Sequence, residues 1–244
     1  HNPMRNEAAW KETKFTRERR GRSRGSRANI TITSRLVGDL AASAYARAIE
    51  THARGRLADL GCGTVPLYGM YKSRVTDVTC IDWGNSLHDS EHIDMLADLN
   101  ARLDIAPESF DTVIASDVIE HLSAPQIFFD STARILKSGG KLIIGVPFLY
   151  WIHEAPHDYF RYTRFGLEKL ARDAGLTIVS LVSYGGSPEV LSDIATKSVG
   201  RRSGLAWPVY WLTRAMLALP PVKFLSSRTR ESMPMGYVLV AEKP

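Results

Sequence analysis

Two stretches of this sequence hold side chains able to move a proton. Asp117, Glu120 and His121 stand at i, i+3 and i+4, a spacing that places them on one side of a helical turn. The run Pro147-Phe-Leu-Tyr-Trp-Ile-His-Glu-Ala-Pro-His-Asp-Tyr-Phe-Arg-Tyr-Thr-Arg164 adds two histidines, two acids, two arginines and many aromatics. Such a mixture suits a pocket for a polar molecule with flat or sugar-like faces better than it suits a core. His121 is the first candidate for a general base, because an imidazole titrates near neutrality. His157 is the second and His153 the third. The ordinary alternative for each is a structural histidine bonded to a backbone carbonyl. Asp158 would orient a histidine, hold substrate or cap the helix that follows. Arg161 reads as an anchor for a carboxylate or phosphate, or as one half of a surface ion pair. Tyr150, Trp151 and Tyr159 read as pocket walls or as packing aromatics.

A second constellation concerns binding. Asp59-Leu-Gly-Cys-Gly-Thr-Val-Pro66 follows a short apolar run, and its glycines permit a sharp turn with close backbone approach to a ligand. Asp82 comes nineteen residues after Gly63, at the end of the next apolar run. A carboxylate so placed accepts hydrogen bonds from both hydroxyls of a ribose. Together they indicate a nucleoside-containing cofactor. NAD fits poorly, since its fingerprint wants Gly or Ala where this sequence has Pro66.

The elements that position these residues alternate. A helix is expected from Ser34 to about His52, with Leu36, Leu40, Ala44 and Ala48 at helical spacing. Strands are expected at 56–60, 77–82, 93–97, 110–116, 141–146, 176–184 and 236–241. A helix opened by Ser123-Ala-Pro125 should run to about Leu136 and stop at Ser138-Gly-Gly140, and another should span about 164–174 with Gly175 as its stop. This pattern predicts an α/β, Rossmann-like fold: a seven-stranded, mostly parallel sheet with helices on both faces and the last strand antiparallel. Residues 1–30 are expected as a flexible basic arm, and 31–244 as one domain with a helical insertion at about 185–235.

In that order, Asp59-Leu-Gly-Cys-Gly63, Ile81-Asp82, Ala97-Asp98-Leu99, Phe110–Leu122 and Leu136–Leu142 resemble the motifs of class I S-adenosylmethionine (SAM)-dependent methyltransferases. Most similar is the group that includes the ubiquinone-biosynthesis O-methyltransferases (methyltransferase type 11), and the likeness covers about 55–184. It implies SAM as cofactor. Gly61, Cys62 and Gly63 would line its methionine part, and Asp59 would orient its ammonium. Asp82 would hold the ribose and Trp83 cover the adenine. Asp98 would bond the adenine amine beside a backbone partner at Leu99, and Ser116 and Asp117 would lie near the sulfonium. Val65 replaces a third glycine common in the family.

The resemblance and the histidines point to O-methylation of a small hydroxylated acceptor such as a saccharide or natural-product intermediate. Catalysis is expected to be metal-independent. The alternative is a Mg²⁺ or Mn²⁺ site from Asp117, Glu120 and His121 with His157 or Asp158. RNA 2'-O-methylation, or a non-catalytic SAM-binding regulatory subunit, are the competing functions.

Charge separates the first of these. Residues 11–27 carry eight Lys/Arg and two Glu, a net +6 against +5 for the whole chain, so the remainder is about −1 and offers nucleic acid little attraction. Cys62 and Cys80 read as reduced thiols, and with a polar, basic start the expected location is cytoplasmic. The Trp/Tyr-rich stretch 205–225 reads as a cap, a homodimer surface or a peripheral membrane contact.

Overall fold

The central apolar runs that the sequence offers as strands are buried on both faces in the computed structural model, which describes residues 4–17, 22–84, 91–200 and 204–244. In chain order come a two-stranded ribbon of β1 (Phe15–Arg17) and β2 (Ser23–Gly25), helix α1 (Arg35–His52), β3 (Gly55–Leu60), the single-turn α2 (Tyr68–Tyr71), β4 (Val75–Asp82), β5 (Met95–Leu96) and β6 (Phe110–Ser116). There follow α3 (Pro125–Ile135), β7 (Leu136–Pro147), α4 (Arg164–Asp173), β8 (Thr177–Tyr184), helices α5 (Ser187–Ser198), α6 (Ala206–Ala218) and α7 (Pro220–Thr229), and β9 (Gly236–Glu242). Seven strands pair in the order β5-β4-β3-β6-β7-β9-β8, and only β9 runs antiparallel to its neighbours.

Successive strand residues serve opposite layers, as the pleat requires. Leu57, Ile143, Val238 and Val240 pack toward α1 and α2, with Tyr45, Ile49 and Tyr71. Ala58, Leu60, Leu142, Ile144 and Leu239 pack toward α3 and α4, with Phe128, Phe129 and Leu167. The chain builds outward from β3 to β4 and β5 on one side and from β6 to β7 on the other. The carboxyl ends of β3 and β6 therefore flank the switch point where ligands of open α/β sheets bind.

Three local expectations need correction. The helix expected to stop at Ser138-Gly-Gly140 ends at Ile135, and those residues belong to β7, whose register shifts between its Phe110 and Thr112 partners. A bulge absorbs the turn-forming glycines inside the strand. Second, Asp117, Glu120 and His121 do not share a regular helical turn. Asp117 is left-handed (φ 53°) and only Ile119–His121 forms a short 3-10 turn.

Third, the described parts of the arm expected over 1–30 pack against the body. Met4 and Phe15 are buried with Tyr45 and Tyr68. Trp10 donates to the Val65 carbonyl at 3.2 Å and meets Tyr68 edge-on, and Arg27 pairs with Asp39 of α1 at 2.8 Å. Apolar anchors spaced through a basic run are hidden when composition is averaged over it. Residues 18–21, in the middle of that run, lie outside the described residues.

Candidate functional site

At the carboxyl ends of β3, β4, β6 and β7 lies a cavity of about 1010 Å³. That is at the upper end of the roughly 300–1,000 Å³ usual for small-ligand pockets, enough for a cofactor and an acceptor together. Its walls are Gly61–Thr64, the ends of β4 and β6, Asp98–Asn100, the loop after β7, and residues 29–31, 33 and 34 ahead of α1.

The cofactor side is built mainly from backbone. Gly61 leaves β3 in the left-handed region (φ 66°), and a Cβ there would come within 2.6 Å of Val118. Only glycine leaves that floor open. Its N–H and that of Cys62 bond the Ile81 carbonyl at 2.8 and 3.2 Å, which ties the turn to β4. Asp82 is 6% exposed and accepts from Gly63 N–H at 2.7 Å through one oxygen and from Trp83 N–H at 2.8 Å through the other. A carboxylate at a strand end offers acceptor positions of the kind that hydroxyl donors of a ribose require. Trp83 stands at the rim, edge-on to His157 with ring centroids 5.3 Å apart. Asp98 and Leu99 line the far wall, where Asp98 takes the Asn100 N–H at 2.8 Å. Cys62 lines the turn, and its buried thiol lies beside Cys80.

The opposite side is built from side chains. Backbone N–H groups of Tyr159 and Phe160 bond the Glu120 carbonyl at 2.9 and 3.2 Å, and the Tyr162 hydroxyl bonds the Ile119 carbonyl at 2.9 Å. These bonds wrap the loop after β7 around the turn after β6. The His121 Nδ1 lies 2.8 Å from the His157 carbonyl, which can only accept, so Nδ1 carries the proton. Nε2 is buried without a hydrogen-bond partner, 3.7 Å from both Glu120 and Glu154.

Glu120 is fully buried and neither oxygen makes a hydrogen bond. Its nearest basic group is His153, with Nε2 at 3.5 Å, too far for a well-formed bond. Burial pushes the Glu120 carboxyl above its ordinary range, with His153 offsetting part of the effect. Burial alone would lower His153, but Glu120 and then Asp158 outweigh it and raise it. A buried carboxyl compensated only in part is costly, which marks a functional group more than a structural one. Among the described residues, Glu120, His121 and His153 are the group whose ligand atoms lie within 4.8 Å of one another, close enough to hold a metal ion.

Several sequence-predicted residues stand elsewhere. Asp59 does not line the cavity. It lies beneath the floor, accepting from the Tyr71 hydroxyl at 2.9 Å, and burial pushes its carboxyl up to about 7. Asp158 and Arg161 do not line it either. They form a two-bond pair at 2.5 and 2.7 Å, and Arg161 also donates to the carbonyls of Trp151 and Phe160 at 2.9 Å each. That guanidinium is spent on its own loop. Ser116, Asp117, His121, Tyr150, Trp151, His153, His157 and Tyr159 do converge on the cavity.

One further lining residue, Lys14, and one core residue behind the wall, Tyr45, carried no local signal. Lys14 reaches in from the N-terminal segment to pair with Asp117, and Tyr45 of α1 lies 3.5 Å from the same carboxylate. Burial would lower Lys14, but Asp117 outweighs it and raises it. Both come from chain folded over the sheet, so only packing brings them here.

A family model described as a methyltransferase domain matches residues 58–144, from the Gly turn to β7. The ubiquinone biosynthesis O-methyltransferase of Stutzerimonas stutzeri (strain A1501) is 25% identical over 160 residues, covering 54% of this chain and 69% of that protein. Among solved structures, the geranyl diphosphate C-methyltransferase of Streptomyces coelicolor A3(2), in complex with Mg²⁺, geranyl diphosphate and S-adenosyl-L-homocysteine, aligns with a TM-score of 0.54 at 15% identity over 96% of this chain and 89% of that one. A putative methyltransferase in complex with the Haloferax volcanii Trm112 methyltransferase activator aligns with a TM-score of 0.55 at 18% identity, over 82% of this chain and 89% of that one. At such identities the structures speak for the fold. Residues 58–144 carry a methyltransferase domain whose open glycine floor and strand-end Asp82 suit SAM, and the chain is similar to class I SAM-dependent methyltransferases.

Proposed function

We propose that this chain methylates a hydroxyl of a small acceptor, of the saccharide or natural-product kind, with His121 as the group that receives the proton. The carrying observation is the His121 imidazole itself, fixed in one tautomer by the His157 carbonyl and set against a buried carboxylate at the acceptor side of the cavity. SAM supplies an activated methyl group when bound. The protein's part is to align the acceptor with it and to remove a proton. Glu120 would stabilise the imidazolium as His121 takes up charge. Tyr150, Trp151 and Tyr159 offer flat faces for the acceptor, and Asp117, paired with Lys14, lies at the end of β6. Screening saccharides, sugar nucleotides, phenols and RNA for SAM-dependent release of S-adenosylhomocysteine tests this reading. Turnover restricted to RNA, or to amines, would overturn it.

One observation favours a second reading of the same residues. His121 Nε2 points at Glu120 and Glu154, and the three ligand atoms of Glu120, His121 and His153 lie together. They would hold a divalent ion that polarises the acceptor hydroxyl. Asp158, 3.5 Å from His153 Nδ1, and the His157 carbonyl would then orient the two imidazoles. Activity abolished by EDTA and restored by Mg²⁺ or Mn²⁺ selects this reading. Full activity in EDTA selects the first.

A further inference from the structure

A helix seated on a protein normally turns its apolar stripe inward. In α6 the seat is narrow: Ala206 and Tyr210 join Ile32 and Val199 in a small cluster separate from the main core. The outward face is apolar as well. Trp207, Trp211, Leu212 and Met216 are 50–63% exposed, and Phe224 of α7 is 65% exposed. An apolar surface of this kind requires something to cover it.

Charge decides what fits. No acidic residue stands between Asp193 and Glu231. Lys223, Arg228 and Arg230 are exposed along and just beyond α7. A second copy of this chain, meeting face to face, would bring cations against cations. An anionic bilayer satisfies both features, since indole rings settle at the headgroup level while Lys and Arg meet phosphates. No helix among the described residues is long and apolar enough to cross a membrane, so the contact lies in the surface plane.

We propose that α6 and α7 form a docking face for an anionic lipid bilayer. The face adjoins the cavity: Ile32 packs against Tyr210, and its neighbours Thr31 and Thr33 line the cavity wall. Arg35, at the start of α1, lies over the Trp207 ring at 5.2 Å and ties the outer face to the same segment.

The test is co-sedimentation of the whole chain with vesicles of mixed phosphatidylcholine and phosphatidylglycerol, with pure phosphatidylcholine vesicles as reference. Because the basic segment at 11–27 also attracts anionic lipid, the deciding variant is W207S/W211S. The expected result is binding to the mixed vesicles that falls about tenfold in the variant, while its thermal midpoint and S-adenosylhomocysteine affinity are kept. Three results would overturn the proposal. They are no binding at low salt, equal binding by variant and wild type, or a concentration-dependent dimer that Trp211→Glu dissociates.

Discussion

The two sides of the cavity are made by different means. The cofactor side uses backbone amides of a glycine turn and carboxylates at strand ends, placed by the sheet within a short span of chain. The acceptor side uses side chains of two irregular segments, joined by loop-to-loop hydrogen bonds such as Tyr159 N–H to the Glu120 carbonyl. A regular scaffold fixes the part that every reaction of this kind shares. Loops carry the part that selects an acceptor. The two sides should therefore respond separately to substitution.

The largest expected effect is on the acceptor side. His121→Ala should lower turnover by roughly 10²- to 10⁴-fold, while S-adenosylhomocysteine affinity, read by calorimetry, stays within about twofold. Loss of both together would show that the sides are not separable. Next comes Asp59, which the comparison assigns to the floor and not to the site. Its carboxyl is raised to about 7 by burial, so the folded state keeps a proton that the unfolded chain gives up near pH 4. Wild-type stability should fall, relative to Asp59→Asn, as pH rises from about 4 to 7 and then level off. At about 1.4 kcal/mol for each pKa step, the gap reaches up to about 4 kcal/mol. Chemical denaturation across pH checks this, and a parallel loss of SAM affinity would return Asp59 to the site.

A smaller effect tests the loop. Arg161 holds the Asp158 carboxyl well below the usual carboxylate range, so the pair contributes above the unfolded value near pH 4 and is lost as pH falls further. Asp158→Asn should cost about 2 kcal/mol near neutral pH, with the difference from wild type vanishing under acid conditions. Its turnover should drop through loop order, with a raised acceptor KM. An unchanged KM would mean that the loop does not shape the acceptor pocket.

Much of this was legible in the sequence, and unevenly so. Near-continuous apolar runs and the turn at Gly61 specify the sheet, because strand-forming runs and glycine conformations are local properties. Asp82 was legible for the same reason, as a carboxylate at a strand end one unit after the glycine turn. Asp59 belongs to the same motif, yet its direction depends on Tyr71, which arrives from α2. Arg161 looked like an anion anchor because spacing does not reveal that Asp158 and nearby carbonyls take up its donors. His153, ranked last of three histidines, stands next to Glu120, whereas His157 contributes a carbonyl to His121 and its own ring to Trp83 and Tyr159. The N-terminal segment was hardest to read. Met4, Trp10 and Phe15 hold it down through contacts that composition cannot show.

Titration of S-adenosylhomocysteine into wild type and Asp82→Ala tests the central claim most directly. Two charge-assisted hydrogen bonds of about 1.5–3 kcal/mol each should be lost. The expected result is an affinity at least about a hundredfold weaker, with the fold intact by circular dichroism. Unchanged affinity in a folded variant would contradict the assignment of this cavity to SAM.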